Sequence, residues 1–225
     1  MGDLLLLRHG ETAWTLSRQH TSHTDLPLTA HGEREAARVA PLLAGHDLSL
    51  VLTSPLRRAV RTAELAGVTG AEIDQDLREW EYGGYEGVTT AQIHRTRPTW
   101  NLWTDGVAPG SADHPGEGPR DVGDRADRVL ARIEPMLRDP AAGDVLLVAH
   151  GHILRVLTAR RLGLPPSAGS LFALDTGTVS RLGTEHGRAV IKAWNATGTS
   201  PAGTAAPVPG GIPRQRHPAH DSRGR

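Results

Sequence analysis

The 225-residue chain contains no cysteine. That excludes a disulfide framework, a thiolate nucleophile and any Cys-based zinc site, so covalent catalysis would need another nucleophilic atom. Long apolar runs are missing too. The longest, at residues 145–149, and the leucine run at residues 4–7 both fall far short of the roughly 20 residues that a membrane-crossing helix needs. The first residues, Met1-Gly2-Asp3, run straight into that short apolar stretch, without the basic start and small-residue cleavage site of a secretory signal, which predicts a cytoplasmic protein. A surplus of charge is also absent, with 25 basic residues against 25 acidic ones. No electrostatic reason therefore exists to expect nucleic acid or an anionic membrane as partner. The one asymmetry is at the end of the chain, where Arg214, Arg216, Arg223 and Arg225 face only Asp221 and leave the body mildly acidic.

What is present reads as one α/β domain. Hydrophobic residues at 38% and charged residues at 22% fit a globular protein, and the length suits a single core. Residues 4–7 read as a buried strand that ends in an Arg8-His9-Gly10 turn, and residues 48–53 read as a second strand. Thr29 is a candidate N-cap for a helix that Pro41 should kink or shorten. A further helix starts from Pro55, with Ala59, Thr62, Ala63 and Ala66 on one face. A third strand centres on Ile73, and residues 122–137 carry the spacing of a long amphipathic helix. Residues 144–149 form the clearest buried strand, closed by His150-Gly151-His152, which opens another helix. Late strands are predicted at 171–174, 178–182 and 189–194, the last two joined by a turn at His186-Gly187.

This alternation predicts a three-layer α/β/α sandwich around a mostly parallel sheet, with ligands bound beyond the carboxyl ends of its strands. The domain spans residues 1–197, and the Pro/Gly/Arg-rich stretch 198–225 is expected to be disordered. No internal repeat, coiled-coil heptad or interface stripe is present, so a homodimer stays open.

The chemistry concentrates at the predicted strand ends. A phosphoryl group in transfer spreads negative charge over its oxygens, so it needs fixed cationic donors and an in-line nucleophile. Imidazole, with an ordinary pKa of about 6.5, is nucleophilic near neutral pH without metal or auxiliary base. His9 is the candidate nucleophile, with Arg8 beside it, Arg58 on the next helix to supply a guanidinium fork, and His150 as a further donor if protonated. Taken singly, His9 reads equally well as a turn residue, and Arg57, Arg58 and Arg61 as a solvated helix face. Their combination marks a phosphate pocket.

At these residues the chain resembles the histidine phosphatase superfamily, which also contains the cofactor-dependent phosphoglycerate mutases. The likeness covers roughly residues 3–195, with the motifs in order: Arg8-His9-Gly10-Glu11-Thr12, Ser54-Pro55-Leu56-Arg57-Arg58-Ala59, Leu77-Arg78-Glu79 followed by Tyr82-Gly83, and Val148-Ala149-His150-Gly151. The resemblance implies that fold, with His9 as nucleophile, Arg8, Arg58 and His150 as the phosphoryl clamp, and Glu79 as general acid, with Glu81 as its nearest rival. Thr15, Thr21, Ser22 and Gly151 fall at its substrate-binding positions. Thr15 stands where many relatives carry Asn, and Ser22 where Gly is usual.

The other histidines, among them His20, His23 and His114, show no metal-ligand spacing, and no metal or cofactor is expected. Trp80, Tyr82, Trp100 and Trp103 read as core or pocket-wall aromatics. Between Val88 and Gly118 the basic residues are Arg95 and Arg97 alone, so a phosphoglycerate clamp is not evident. The segments 79–90, 19–29 and 100–103 look like the branch of broad-specificity acid phosphatases and sugar-phosphate phosphatases. The reading is therefore a phosphomonoesterase for small phosphorylated metabolites, probed against two rivals: a phosphoglycerate mutase and a catalytically silent phospho-ligand binding module.

Overall fold

A computed structural model describes residues 2–198. Beyond Gly198, the stretch expected to be disordered lies outside the described residues. Six strands build one sheet: β1 (Leu4–Arg8), β2 (Leu48–Thr53), β3 (Glu72–Ile73), β4 (Asp144–Ala149), β5 (Val179–Glu185) and β6 (Arg188–Ala196). Their order is β3-β2-β4-β1-β5-β6. The β3-β2, β2-β4 and β4-β1 pairs are parallel, whereas β5 adds antiparallel to β1 and β6 antiparallel to β5.

The apolar start of the chain becomes the centre of the sheet for a simple reason. Successive strand residues point to opposite faces, so a strand covered on both sides must be apolar throughout. Leu4 and Leu6 enter one core with Leu147, Val129, Ile133 and Leu154. Leu5 and Leu7 enter a second core with Leu146, Val148, Val39, Ala59 and Ala63. The first core is covered by α7 (Pro119–Arg138) and α8 (Gly151–Arg161). The second is covered by α2 (Ala30–Arg38), α3 (Ala40–Leu43) and α4 (Arg57–Leu65). Two layers of helix on a mostly parallel sheet give the predicted sandwich.

Local signals explain most boundaries. The Thr29 hydroxyl accepts from the Gly32 N–H and starts α2, and the helix breaks before Pro41, which opens α3. Between β5 and β6, His186 (φ 48°) and Gly187 (φ 76°) both adopt the left-handed conformation of a tight hairpin turn. Pro55 precedes α4 rather than beginning it, because Leu56 is extended and serves as the N-cap.

One predicted strand is not formed. Residues 166–171 make a 3-10 turn and 172–174 run irregularly past the sheet. The apolar run has other work: Phe172 packs on Trp194, and the Leu174 carbonyl accepts from Arg8. Three short helices were not foreseen: α1 (Ala13–Ser17), α5 (Thr90–His94) and α6 (Leu102–Asp105). No helix among the described residues is long and apolar enough to cross a membrane.

Leu6 is fully buried in the central strand. A Leu6→Ala substitution is expected to remove about 2–5 kcal/mol of stability, read as a lower urea midpoint with unchanged slope. A loss below about 1 kcal/mol would contradict the packing described.

Candidate active site

The parallel pairing of β1 with β4 sets Arg8 opposite Ala149, so His9 and His150 leave adjacent strands side by side. The His9 N–H donates to the Ala149 carbonyl at 3.0 Å, and the two imidazole centroids are 5.0 Å apart. Gly10 is required by a close approach, since a Cβ there would lie 2.2 Å from the Gly32 carbonyl oxygen. The same contact presses α2 against the turn that carries His9.

His9 is 4% exposed. Its Nδ1 lies 2.8 Å from the carbonyl oxygen of Gly10. A carbonyl only accepts, so Nδ1 carries the hydrogen and the Nε2 lone pair is left free. Burial lowers the His9 pKa well below the usual histidine value, and the charges of Arg58 and Arg8 lower it further. The ring is therefore neutral and nucleophilic at neutral pH. His150 is fully buried. Its Nδ1 accepts from Arg58 Nε at 3.2 Å, so its Nε2–H faces Ser54 Oγ at 2.7 Å. Burial first, and then Arg58, hold this ring neutral as well. His150 thus donates through Nε2–H as a neutral ring rather than as the cation considered from sequence.

The two arginines differ. Arg8 bonds to the Leu174 carbonyl, while its buried Nε meets no acceptor among the described residues. An unmet guanidinium N–H beside His9 is a donor awaiting an anion. Arg58 is engaged: besides His150, it donates to the carbonyls of Thr24 at 3.1 Å, Thr21 at 3.3 Å and Ser22 at 3.1 Å. It ties segment 21–24 to the second histidine.

Glu79, 8% exposed, lies at the start of α8. Its Oε1 accepts from the N–H groups of Trp80 at 2.9 Å and Ile153 at 3.0 Å, and its Oε2 accepts from His152 at 3.0 Å. A helix N-terminus is a favourable seat for a carboxylate. Glu81 points elsewhere, towards Ser22 and His114. Hydrogen bonds from His23, Ser22 and His114 outweigh its burial and lower its pKa.

A polar cavity of about 280 Å³ opens here. Arg8, His9, Glu79 and Gly151 line it, together with Thr15 and Thr21. Arg58, His150 and Glu81 are not in its wall. Gly151 leaves room for Arg8, because a Cβ there would come within 3.3 Å of the guanidinium carbon. The Thr15 hydroxyl is occupied by the Thr12 backbone, and that of Thr21 by the Gln19 carbonyl. Ser22 turns away from the cavity. Its N–H and hydroxyl are held by Glu86, and the hydroxyl also reaches Glu81 at 2.9 Å.

Sequence reasoning missed much of the wall: Arg18, His20, His152 and Arg155. Arg155 had a signal, since it follows Gly151 by four residues on α8 and so shares its face. His152 follows Gly151 directly, and its Nδ1 lies 2.6 Å from the Tyr82 hydroxyl. Arg18 had none, because its direction depends on a left-handed backbone at the end of α1.

The architecture and the pocket define a class. Residues 4–197 match the model of the histidine phosphatase superfamily, branch 1, and the chain belongs to that superfamily. It is an enzyme, a phosphatase, and its substrate is a small phosphorylated molecule. Among individual proteins, an acid phosphatase of Mycobacterium tuberculosis is 41% identical over 87% of this chain and 93% of its own length. The sedoheptulose 1,7-bisphosphatase of Saccharomyces cerevisiae is 35% identical over 71% of this chain and 67% of its own. The solved structure of a Mycobacterium tuberculosis open reading frame, 40% identical, covers 88% of this chain and 99% of that one with a TM-score of 0.80.

The buried histidines make stability depend on pH. His9, His20, His150 and His152 all have lowered pKa values, chiefly through burial. Unfolding restores them to about 6.5, so below that pH the unfolded chain binds more protons than the folded one. Their contribution is intact above about pH 6.5 and is lost as the pH falls below it. Urea midpoints are expected to decline between pH 7 and pH 5, and less steeply in His152→Gln. A flat profile would refute the neutral assignments.

Proposed function

We propose that the chain is a metal-independent cytoplasmic phosphomonoesterase for sugar phosphates and similar metabolites, working through a phosphohistidine on His9. The observation that carries this is the tautomer of His9. Its Nδ1–H is fixed on Gly10, which leaves the Nε2 lone pair free in a ring that lines the same cavity as Arg8.

In the first step the Nε2 lone pair attacks phosphorus while the P–O bond to the alcohol breaks, and the departing oxygen takes a proton from Glu79. Glu79 must enter this step as the carboxylic acid, protonated at Oε2, the oxygen that accepts from His152 alone. In the second, water attacks the phosphohistidine and gives its proton to Glu79, releasing phosphate and restoring neutral His9. Arg8, which lines the cavity, clamps the phosphoryl oxygens through its guanidinium. Arg58 acts by its charge, close enough already to depress the His9 pKa, and His150, its nitrogens held by Arg58 and Ser54, packs edge-on against the His9 ring and positions it. Glu79 is preferred over Glu81 because Glu79 faces the cavity with His9.

For the substrate, the polar wall with Arg18, His20 and Arg155 suits hydroxyl and anionic groups beyond the transferred phosphate. The acid phosphatase and sedoheptulose bisphosphatase relatives support the same class. Ser22 is withdrawn as a direct contact, its polar groups being held by Glu81 and Glu86.

A panel of phosphorylated metabolites, assayed with chelator for released phosphate, tests the reading. Sugar phosphates are expected to turn over, His9→Ala to be inactive, and Glu79→Gln to lose roughly 10²–10⁴-fold in kcat with little change in KM. Full activity of His9→Ala would overturn the proposal. Conversion of 3-phosphoglycerate to 2-phosphoglycerate faster than phosphate release would instead identify a mutase, and inactivity on every substrate a binding module.

A further inference from the structure

Beside the catalytic pocket, three segments distant in sequence bring together His23, Glu81 and His114. Glu81 Oε1 lies 3.0 Å from His23 Nδ1, and Glu81 Oε2 lies 3.1 Å from His114 Nδ1. The imidazoles stack at 3.6 Å between centroids, only 12° from parallel, so both present the same nitrogen to one carboxylate. The donor atoms of all three lie within 4.8 Å of one another. None of the three lines the catalytic cavity.

We propose that His23, Glu81 and His114 form a binding site for a divalent transition-metal ion of the zinc class, which clasps the segment around Ser22 to the loop that carries His114. Two imidazole nitrogens and one carboxylate oxygen form a borderline donor set that suits Zn²⁺, Co²⁺ or Ni²⁺ and is too nitrogen-rich for Mg²⁺ or Ca²⁺. Tetrahedral Zn²⁺ with bonds of about 2.0–2.1 Å separates neighbouring donor atoms by about 3.3–3.4 Å. The observed nitrogen-to-oxygen separations, 3.0 Å to Oε1 and 3.1 Å to Oε2, are close to that value, and the two rings must rotate out of their parallel stack to aim both Nδ1 lone pairs at one ion. Without the ion each Nδ1 carries a hydrogen towards the carboxylate. On binding, that proton moves to Nε2, so each neutral ring offers its Nδ1 lone pair and neither needs to lose a proton to solvent.

The ligands are held by independent supports, as a preorganised site requires. The residues on either side of His23 are fixed: the Ser22 and Thr24 N–H groups donate to Glu86, and the Ser22 and Thr24 carbonyls accept from Arg58. The Glu81 carboxylate is oriented by the Ser22 hydroxyl, and its N–H is bound by Glu117 at 2.9 Å. His114 sits in a tight turn closed by its own N–H on the Ser111 carbonyl and by Gly110 N–H on Pro115. Side-chain exposures of 27%, 20% and 36% for His23, Glu81 and His114 leave an open position for water. The ion would therefore set the loop geometry next to Arg58 and take no part in phosphoryl transfer.

The test is a titration of chelator-stripped full-length protein with Zn²⁺ by calorimetry and with Co²⁺ by its visible absorption. A His217→Ala, His220→Ala background removes the histidines near the end of the chain. One ion per chain is expected, with a tetrahedral Co²⁺ spectrum, and His114→Ala should weaken binding by more than about 100-fold, beyond the effect of losing an outer-shell partner. Metal-free His114→Ala should unfold at the wild-type temperature and keep wild-type phosphatase activity. Equal affinity in His114→Ala, or binding that vanishes in the His217, His220 background, would overturn the site. Hydrogen exchange on the wild-type protein reads the clasp without any loss of a ligand: Zn²⁺ should slow the amides of residues 21–24 and 110–116. Unchanged exchange at saturating Zn²⁺ would also contradict the proposal.

Discussion

Two guanidinium groups act on His9, Arg8 from the wall of the cavity and Arg58 from outside it, and neither forms an ion pair with a carboxylate among the described residues. Arg58 is fully buried and held by three backbone carbonyls and a histidine nitrogen, while Arg8 keeps a buried Nε without a partner. Removing a charge from water costs several kcal/mol unless an opposite charge replaces the solvent. Carbonyl dipoles offset part of that cost. The remainder makes the free pocket electrostatically incomplete, and a phosphoryl dianion is the group that completes it.

Burial first, and then the same positive field, set the state of His9. A histidine buried beside two arginines stays neutral, and the Gly10 carbonyl then decides which nitrogen keeps the hydrogen. Cation placement and the neutral state of His9 are thus linked. The N–H groups at the start of α8 hold the Glu79 oxygens, and although its charge favours both guanidinium groups, it forms no ion pair with either among the described residues. Arg58 also supports the loop of Thr21 to Thr24, linking the phosphate site to the wall of the cavity.

The fold was legible where one face or both of an element are committed to a core. Residues 4–7 and 145–149 are apolar without a break because helices cover both sides of β1 and β4. The run at 171–174 is equally apolar but finds no neighbouring strand, and apolarity alone does not say whether a partner exists. The short helices α1 and α5 were missed because their starts are marked by Thr12 with Thr15 and Thr89 with Gln92, and neither is followed by an apolar period long enough to read. In the site, His9, Arg8, Glu79 and His150 were readable because strand ends and motifs locate them. Arg18, His20 and the trio of His23, Glu81 and His114 were not, since only long-range packing brings them to their places. The surroundings of Ser22 are hidden for the same reason, since the carboxylates that engage its hydroxyl come from 59 and 64 residues away.

The central claim is that His9 Nε2 carries the phosphoryl group between substrate and water. Rapid quenching of the enzyme with a turning-over sugar phosphate, followed by mass-spectrometric mapping under alkaline conditions, tests it directly. The account predicts an acid-labile, base-stable phosphoryl group on Nε2 of His9 that forms and decays at rates compatible with turnover. A label on Nδ1 or on another residue, or turnover with no phosphoenzyme and a wild-type rate in His9→Ala, would contradict it.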